Sequence, residues 1–144
     1  MRPGESKRLS VAYSFRGPSA VGDAVTGAER FAAAAGVSDE TRARLAIIVE
    51  ELITNIVEHG EAPVGSSIEL KLSTSRDGIV LNIEDYGTFF DPRGAADPDE
   101  AMPDRGGGAG IALVKAWARI LRYDANNKVN RLELILPEQW EEWP

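Results

Sequence analysis

The sequence contains no cysteine among its 144 residues. A disulfide framework and a thiolate metal site are therefore excluded, and so is redox chemistry at a thiol. No apolar run approaches the ~20 residues that span a bilayer, and residues 1–6 lead into no hydrophobic signal core. From these absences we expect a cytoplasmic protein that does not bind a membrane.

Basic residues are also scarce, with 16 Lys and Arg against 23 Asp and Glu and a formal net charge of −7. This balance argues against a nucleic-acid backbone as a direct partner. The length favours one domain over residues 1–144, because such a chain can bury a core without disulfides.

The apolar residues predict a mixture of strands and helices. Alternating patterns predict strands near residues 9–15, 68–72, 79–83, 120–123 and 132–136. Helical patterns cover about 20–35, 38–59 and 111–121. The order β-α-α-β-β-loop-α-β-β lacks regular βαβ alternation. It therefore predicts an α+β fold, a two-layer sandwich of a mostly antiparallel, mixed sheet with helices on one face.

The second predicted helix contains a polar pair at the edge of its apolar face. Glu51 and Asn55 lie one helical turn apart, so both side chains can point into the same cleft. Asparagine is a poor helix former, which makes its position within a helix unusual. An exposed polar pair is one interpretation. The other gives Asn55 a metal-coordinating carbonyl and Glu51 a carboxylate that accepts a proton.

The segment "DYGTFFDP" follows the third predicted strand. Asp85 could accept a hydrogen bond from an exocyclic amine such as that of adenine, and Gly87 would leave room for a flat ring near the backbone. An ordinary turn closed by an Asx-type hydrogen bond explains the same residues.

The segment "RGGGAG", residues 105–110, precedes the third predicted helix. It is not a Walker loop, because no Lys-Ser or Lys-Thr follows, and position 111 is Ile, which excludes Gly-x-Gly-x-x-Gly. What remains is Gly106-x-Gly108-x-Gly110 opening a helix, where free amide groups can face an anion. A flexible hinge or a tight helix entry is the alternative.

In this order the three segments resemble the GHKL (Bergerat-fold) ATP-binding family. Within it, they are similar to the anti-sigma factor serine-protein kinases of the RsbW and SpoIIAB type. The resemblance covers about residues 9–137. It rests on Glu51-x-x-x-Asn55, on Asp85-x-Gly87-x-x-Phe90-Asp91-Pro92 and on Gly106-x-Gly108-x-Gly110.

The resemblance implies a role for each matching residue. Glu51 matches the general base, Asn55 the Mg²⁺ ligand, and Asp85 with Gly87 the segment that reads adenine. The glycines from Gly106 to Gly110 match the segment that wraps the phosphates of ATP. Arg105 lies where a lid cation could meet the terminal phosphate, although a solvated loop residue fits equally well.

The implied activity is that of an ATP-dependent serine/threonine-protein kinase with ATP and Mg²⁺ as cofactors. Its implied partners are an anti-sigma factor antagonist of the STAS type, which it phosphorylates, and a sigma factor, which it sequesters. The family also implies a possible homodimer. A regulatory module that holds ATP without transferring phosphate remains an alternative, as does slow ATP hydrolysis. A sensor histidine kinase, a topoisomerase or a chaperone would need segments for which this sequence has no room.

Overall fold

The computed structural model describes residues 8–60, 62–87 and 108–144. The strands are β1 (Ser10–Phe15), β2 (Ile68–Ser75), β3 (Gly78–Asp85), β4 (Arg119–Asn126) and β5 (Val129–Pro137). The helices are α1 (Ala20–Ala35), α2 (Asp39–His59) and α3 (Gly108–Trp117). Among the described residues, no helix combines the length and the apolar character needed to cross a membrane.

The described strands form one open sheet in the order β1-β2-β3-β5-β4, and each neighbouring pair runs antiparallel. The α+β prediction is thereby confirmed. A parallel pair, which the expected mixed sheet would contain, does not occur in the part of the chain that the structure describes.

The core lies between the three helices and one face of the sheet. Leu72, Leu81 and Leu134 pair in one row across β2, β3 and β5 and are fully buried. Phe31 of α1 and Ile48 of α2 belong to the same cluster, so the helices cover this face. Burial of each large apolar side chain stabilises the fold by roughly 1.5–3 kcal/mol.

The predicted boundary between the first two helices is confirmed. Gly36 follows α1 in the left-handed conformation, with φ 74° and ψ 31°, and its N–H donates to the carbonyl of Ala32. Glycine takes this conformation without a Cβ clash. The side chain of Ser38 accepts a hydrogen bond of 3.2 Å from the backbone N–H of Thr41. It therefore caps one of the amide donors that would otherwise be unpaired at the start of α2.

The predicted extent of the third helix is wrong at both ends. The helix begins at Gly108 instead of Ile111, and it ends at Trp117 instead of about residue 121. Residues 119–126 pair with β5, starting with Arg119 opposite Ile135. Leu121, which falls within the predicted helix, lies at an irregularity of β4 and is 43% exposed. Pairing with β5 therefore decides the conformation of residues 119–126, although the apolar spacing up to residue 121 also fits a helix.

The loop that the sequence predicts between the third strand and the third helix, about residues 87–110, lies mostly outside the described residues. Its last three residues, Gly108–Gly110, form the first turn of α3.

The segment after β5, which the sequence patterns did not explain, packs against two distant elements. The indole N–H of Trp140 donates to the carbonyl of Ser75 at 2.8 Å, at the end of β2. The carboxylate of Glu138 accepts a hydrogen bond of 2.8 Å from the backbone N–H of Ser38. This segment therefore connects the β2–β3 turn to the start of α2.

Gly78→Ala should lower the free energy of unfolding by about 2 kcal/mol or more. Gly78 has a φ of 153°, and a Cβ there would lie 2.9 Å from the carbonyl carbon of Leu136 on β5. A residue with a side chain rarely adopts this φ, and the atoms that the added Cβ would meet are backbone atoms of β5, which cannot shift easily. Urea denaturation measures the change.

The matched control is Gly22→Ala. Gly22 lies in α1 with no heavy atom within 4 Å of the added methyl group, so alanine should stabilise this helix by about 0.5–1 kcal/mol. Equal stabilities for the two variants would contradict the close contact at Gly78.

Candidate functional site

The C-terminal half of α2 carries the predicted polar pair. Leu52 and Ile53 point into the core, whereas Glu51 and Asn55 lie half-buried at the edge of this apolar face. The helix thus presents a carboxylate and a side-chain amide one turn apart. Their predicted placement at the edge of the buried face is confirmed.

Helix α3 packs antiparallel to α2. The carboxylate of Glu51 lies directly against the Cα of Gly110. Further along, the guanidinium of Arg44 lies 5.2 Å from the centre of the Trp117 ring. Each helix advances seven residues between the two contacts, from 44 to 51 and from 117 back to 110. Seven residues are about two turns, so the two contacts lie on facing sides of the helices.

The environment of Glu51 changes its proton affinity. Partial burial raises the pKa of the Glu51 carboxyl above its ordinary value, and the nearby charges of Glu50 and Glu58 raise the pKa further. A carboxylate with a raised pKa is a stronger base at neutral pH than an exposed one. The arrangement can therefore support removal of a proton from a bound group.

The end of β3 carries the second predicted constellation. Asp85 Oδ1 accepts hydrogen bonds from the backbone N–H of Gly87 at 2.8 Å and from the side-chain amide of Asn130 at 3.0 Å. The same amide donates to the carbonyl of Gly87 at 2.9 Å. The Asx-type turn proposed as an alternative is therefore present. It also holds the Asp85 carboxylate in one orientation.

Asn130 was not predicted as a site residue. Its side chain is buried, with 5% exposure, and it lies on the core-facing side of β5. The alternation that places Leu132, Leu134 and Leu136 in the core also places residue 130 there. An asparagine at a position that this alternation assigns to the core was the sequence feature that could have identified it.

Gly87 approaches the end of α2 closely. A Cβ at Gly87 would lie 2.5 Å from the carbonyl oxygen of Gly60 and 2.9 Å from its Cα. The glycine is therefore required for packing against this backbone, which is a different reason from the predicted space for a flat ring. Through this contact the end of β3 meets the same end of α2 that carries Asn55.

The described site residues therefore meet along one half of α2. Gly110 contacts Glu51, Gly87 contacts Gly60, and Asn55 lies on the helix between them. Gly108 belongs to the first turn of α3, where backbone N–H groups lack intrahelical acceptors. Arg105 and Gly106 lie outside the described residues. In the described ranges, no group of three or more His, Asp or Glu side chains is arranged to hold a metal ion.

A separate groove lies near the other end of α2. It is lined by Ser38, Glu40, Thr41, Arg44, Arg76, Asp77, Pro137, Glu138, Gln139, Trp140 and Trp143. Thr41 precedes Glu51 by about 15 Å along the helix axis. The groove is therefore not part of the polar constellation.

Comparison with known proteins identifies a family from the sequence and a similar fold from the structure. The chain matches the family model described as the histidine kinase-like ATPase domain over residues 17–136. It is similar in structure to the Erythrobacter litoralis EL346 blue-light activated histidine kinase, with 18% identity and a TM-score of 0.54. That match covers 83% of this chain and 41% of the kinase chain, and at this identity it shows the fold alone. Curated proteins yield no significant match.

Glu51→Gln should stabilise the protein at neutral pH and flatten the pH dependence of its unfolding free energy. Because the folded-state pKa of Glu51 is raised, the folded protein binds this proton more tightly than the unfolded chain. Wild-type stability therefore falls as pH rises from the unfolded-state value near 4.5 through the higher folded-state value. The effect should be modest because the carboxylate is partly solvated.

Urea unfolding at several pH values between about 4 and 8 measures this effect. The charge-matched control is Glu29→Gln, on the exposed side of α1. If Glu51→Gln gained no stability relative to wild type as pH rises, the raised pKa would be contradicted.

Proposed function

The chain belongs to the histidine kinase-like ATPase domain family, and from this premise we propose that it is an ATP-dependent protein kinase acting on serine or threonine. An ATP-binding domain of the GHKL type follows from the family. The acceptor and the transfer reaction are our proposal. They are supported by the placement of Glu51 beside the start of α3.

The described residues fit ATP and Mg²⁺. The first turn of α3 offers backbone N–H groups of the kind that bind phosphate oxygens. Asp85, held by Asn130, presents a carboxylate that can accept from the exocyclic amine of adenine. The side-chain carbonyl of Asn55 is a suitable oxygen ligand for Mg²⁺, which commonly takes one or two protein ligands beside phosphate and water. When bound, Mg²⁺ neutralises phosphate charge.

The contact between Glu51 and Gly110 carries the proposal of catalysis. It places a carboxylate of raised pKa beside the helix start that would hold the phosphates. Glu51 would accept the proton of an acceptor hydroxyl. The hydroxyl oxygen forms a bond to the γ-phosphorus of ATP, the bond from that phosphorus to the β,γ-bridging oxygen breaks, and ADP leaves.

The partners are proposed on the motif resemblance alone. The acceptor would be an anti-sigma factor antagonist of the STAS type, and its unphosphorylated form would compete with a sigma factor for this protein. Arg105, Gly106 and Gly108 would contribute to the phosphate-binding segment in this proposal. A homodimer is part of the same proposal.

Incubation with γ-labelled ATP, Mg²⁺ and lysate of the source organism should label one protein. Glu51→Gln should reduce this labelling by about 10²-fold or more, because the amide cannot accept the proton. Glu29→Gln, with the same loss of charge, should label as wild type does. Calorimetry on each purified protein should show that wild type, Glu51→Gln and Glu29→Gln all bind ATP.

The chemistry of the label separates the alternatives. Phosphate on serine or threonine survives acid, whereas phosphate on histidine is lost in acid. An acid-stable label that depends on Glu51 supports the proposal, and an acid-labile one contradicts it. Inorganic phosphate without labelled protein would indicate slow ATP hydrolysis. Binding without either product would indicate a nucleotide-holding regulatory module.

Asp85→Asn should reduce ATP affinity by about 10–100-fold, the loss expected for a hydrogen bond to a charged acceptor. The replacement amide can keep its oxygen toward Gly87 and Asn130. It then places an N–H₂ group where the second carboxylate oxygen lies. That group repels the adenine amine but can donate to the guanine carbonyl, so the preference for ATP over GTP should narrow.

Titration with fluorescent ATP and GTP analogues measures both affinities. Asp77→Asn, at the exposed β2–β3 turn, controls for the loss of charge. An unchanged ATP-to-GTP ratio in Asp85→Asn would refute adenine recognition by this residue.

A further inference from the structure

We propose that Gly110 is a positioning residue for Glu51, because its missing side chain provides the space in which the Glu51 carboxylate rests. This inference rests on the proposed function only in treating Glu51 as the proton acceptor. It assigns Gly110 a task different from phosphate wrapping, which the motif resemblance implied.

The space beside Gly110 is already filled by Glu51. A Cβ built on Gly110 would overlap Oε2 and Cδ of Glu51 and would lie 2.7 Å from its Cγ. Any residue other than glycine therefore requires the carboxylate to leave its place. Because Glu51 ends in rotatable bonds, it can turn away without a change in the backbone.

The backbone conformation gives no other reason for glycine at this position. Gly110 lies within α3 and does not have the positive φ of Gly36 or Gly78. Alanine is the better helix former in such a conformation. The requirement for glycine at 110 is therefore one of space and not of conformation.

Helix α3 is held in place at other points, so it cannot move aside for a larger residue. Ile111 and Val114 are 3% and 0% exposed and belong to the core. Trp117 packs under the guanidinium of Arg44. A methyl group at position 110 would consequently displace the Glu51 side chain and leave the helix where it is.

A double-mutant cycle tests the inference in the protein without nucleotide. Gly110→Ala should raise the melting temperature more in the Glu51→Ala background than in the parent, since the overlap exists only in the parent. The difference between the two shifts should be roughly 2–4 °C for a chain of this size. Gly22→Ala, whose added methyl group meets no neighbour, should shift both backgrounds equally.

The turnover number of the transfer reaction is measured for the same set of variants. Gly110→Ala alone should lower the turnover number by about 10²-fold, as loss of a general base does. The ATP dissociation constant should stay within about threefold of the parent value. In the Glu51→Ala background, Gly110→Ala should have no further effect on turnover.

Different results would overturn different claims. Equal melting shifts in both backgrounds, or full turnover in Gly110→Ala, would overturn the positioning role. Loss of ATP affinity that persists in the Glu51→Ala background would also overturn it, because Gly110 would then act on the nucleotide directly. Coupled melting shifts in a protein that transfers no phosphate would support the positioning of Glu51 and overturn the kinase function.

Discussion

The antiparallel packing of α3 on α2 is the constraint on which the site depends. One face of α2 is committed to the core through residues such as Ile48 and Ile53. The remaining surface must receive α3 at a fixed register, which the contacts at Arg44 and Glu51 define. Since Ile111 and Val114 of α3 are buried in the core, the packing of the core brings the first turn of this helix to the Glu51 carboxylate.

The residues at the site depart from the patterns that stabilise the rest of the chain. Glu51 holds a carboxylate in a partly desolvated position, where its ionisation costs stability. Asn130 occupies a core-facing position of β5 that an apolar residue would fill with less difficulty. Its hydrogen bonds to Asp85 and Gly87 offset that burial. Such local costs are typical of positions retained for chemistry instead of folding.

The sequence predicts most elements because their signals are local. The helix stop at Gly36 and the cap at Ser38 lie next to the residues they act on, and alternation predicts which faces of β2 and β3 are buried. The predicted third helix, 111–121, overlaps the predicted strand near 120–123, because no glycine or proline separates Trp117 from Arg119 and the pairing that decides the matter comes from β5. That competition between local spacing and distant pairing is not visible in a local pattern.

The same distinction between local signals and distant contacts applies to the site residues. The sequence predicts that Glu51 and Asn55 share one helix face, because their spacing of four residues is enough to determine this. The bond from Asn130 to Asp85 joins residues 45 positions apart and depends on the register of β5 against β3. The overlap between Gly110 and Glu51 depends on how two helices pack, so only the folded structure reveals why glycine is needed there.

A crystal structure with Mg²⁺ and a non-hydrolysable ATP analogue tests the central claim most directly. The account predicts the adenine amine at the Asp85 carboxylate, Mg²⁺ at the side-chain oxygen of Asn55, and the terminal phosphate at the start of α3 beside Glu51. A nucleotide bound in the groove near Trp140, or one whose phosphates point away from α3, would contradict it.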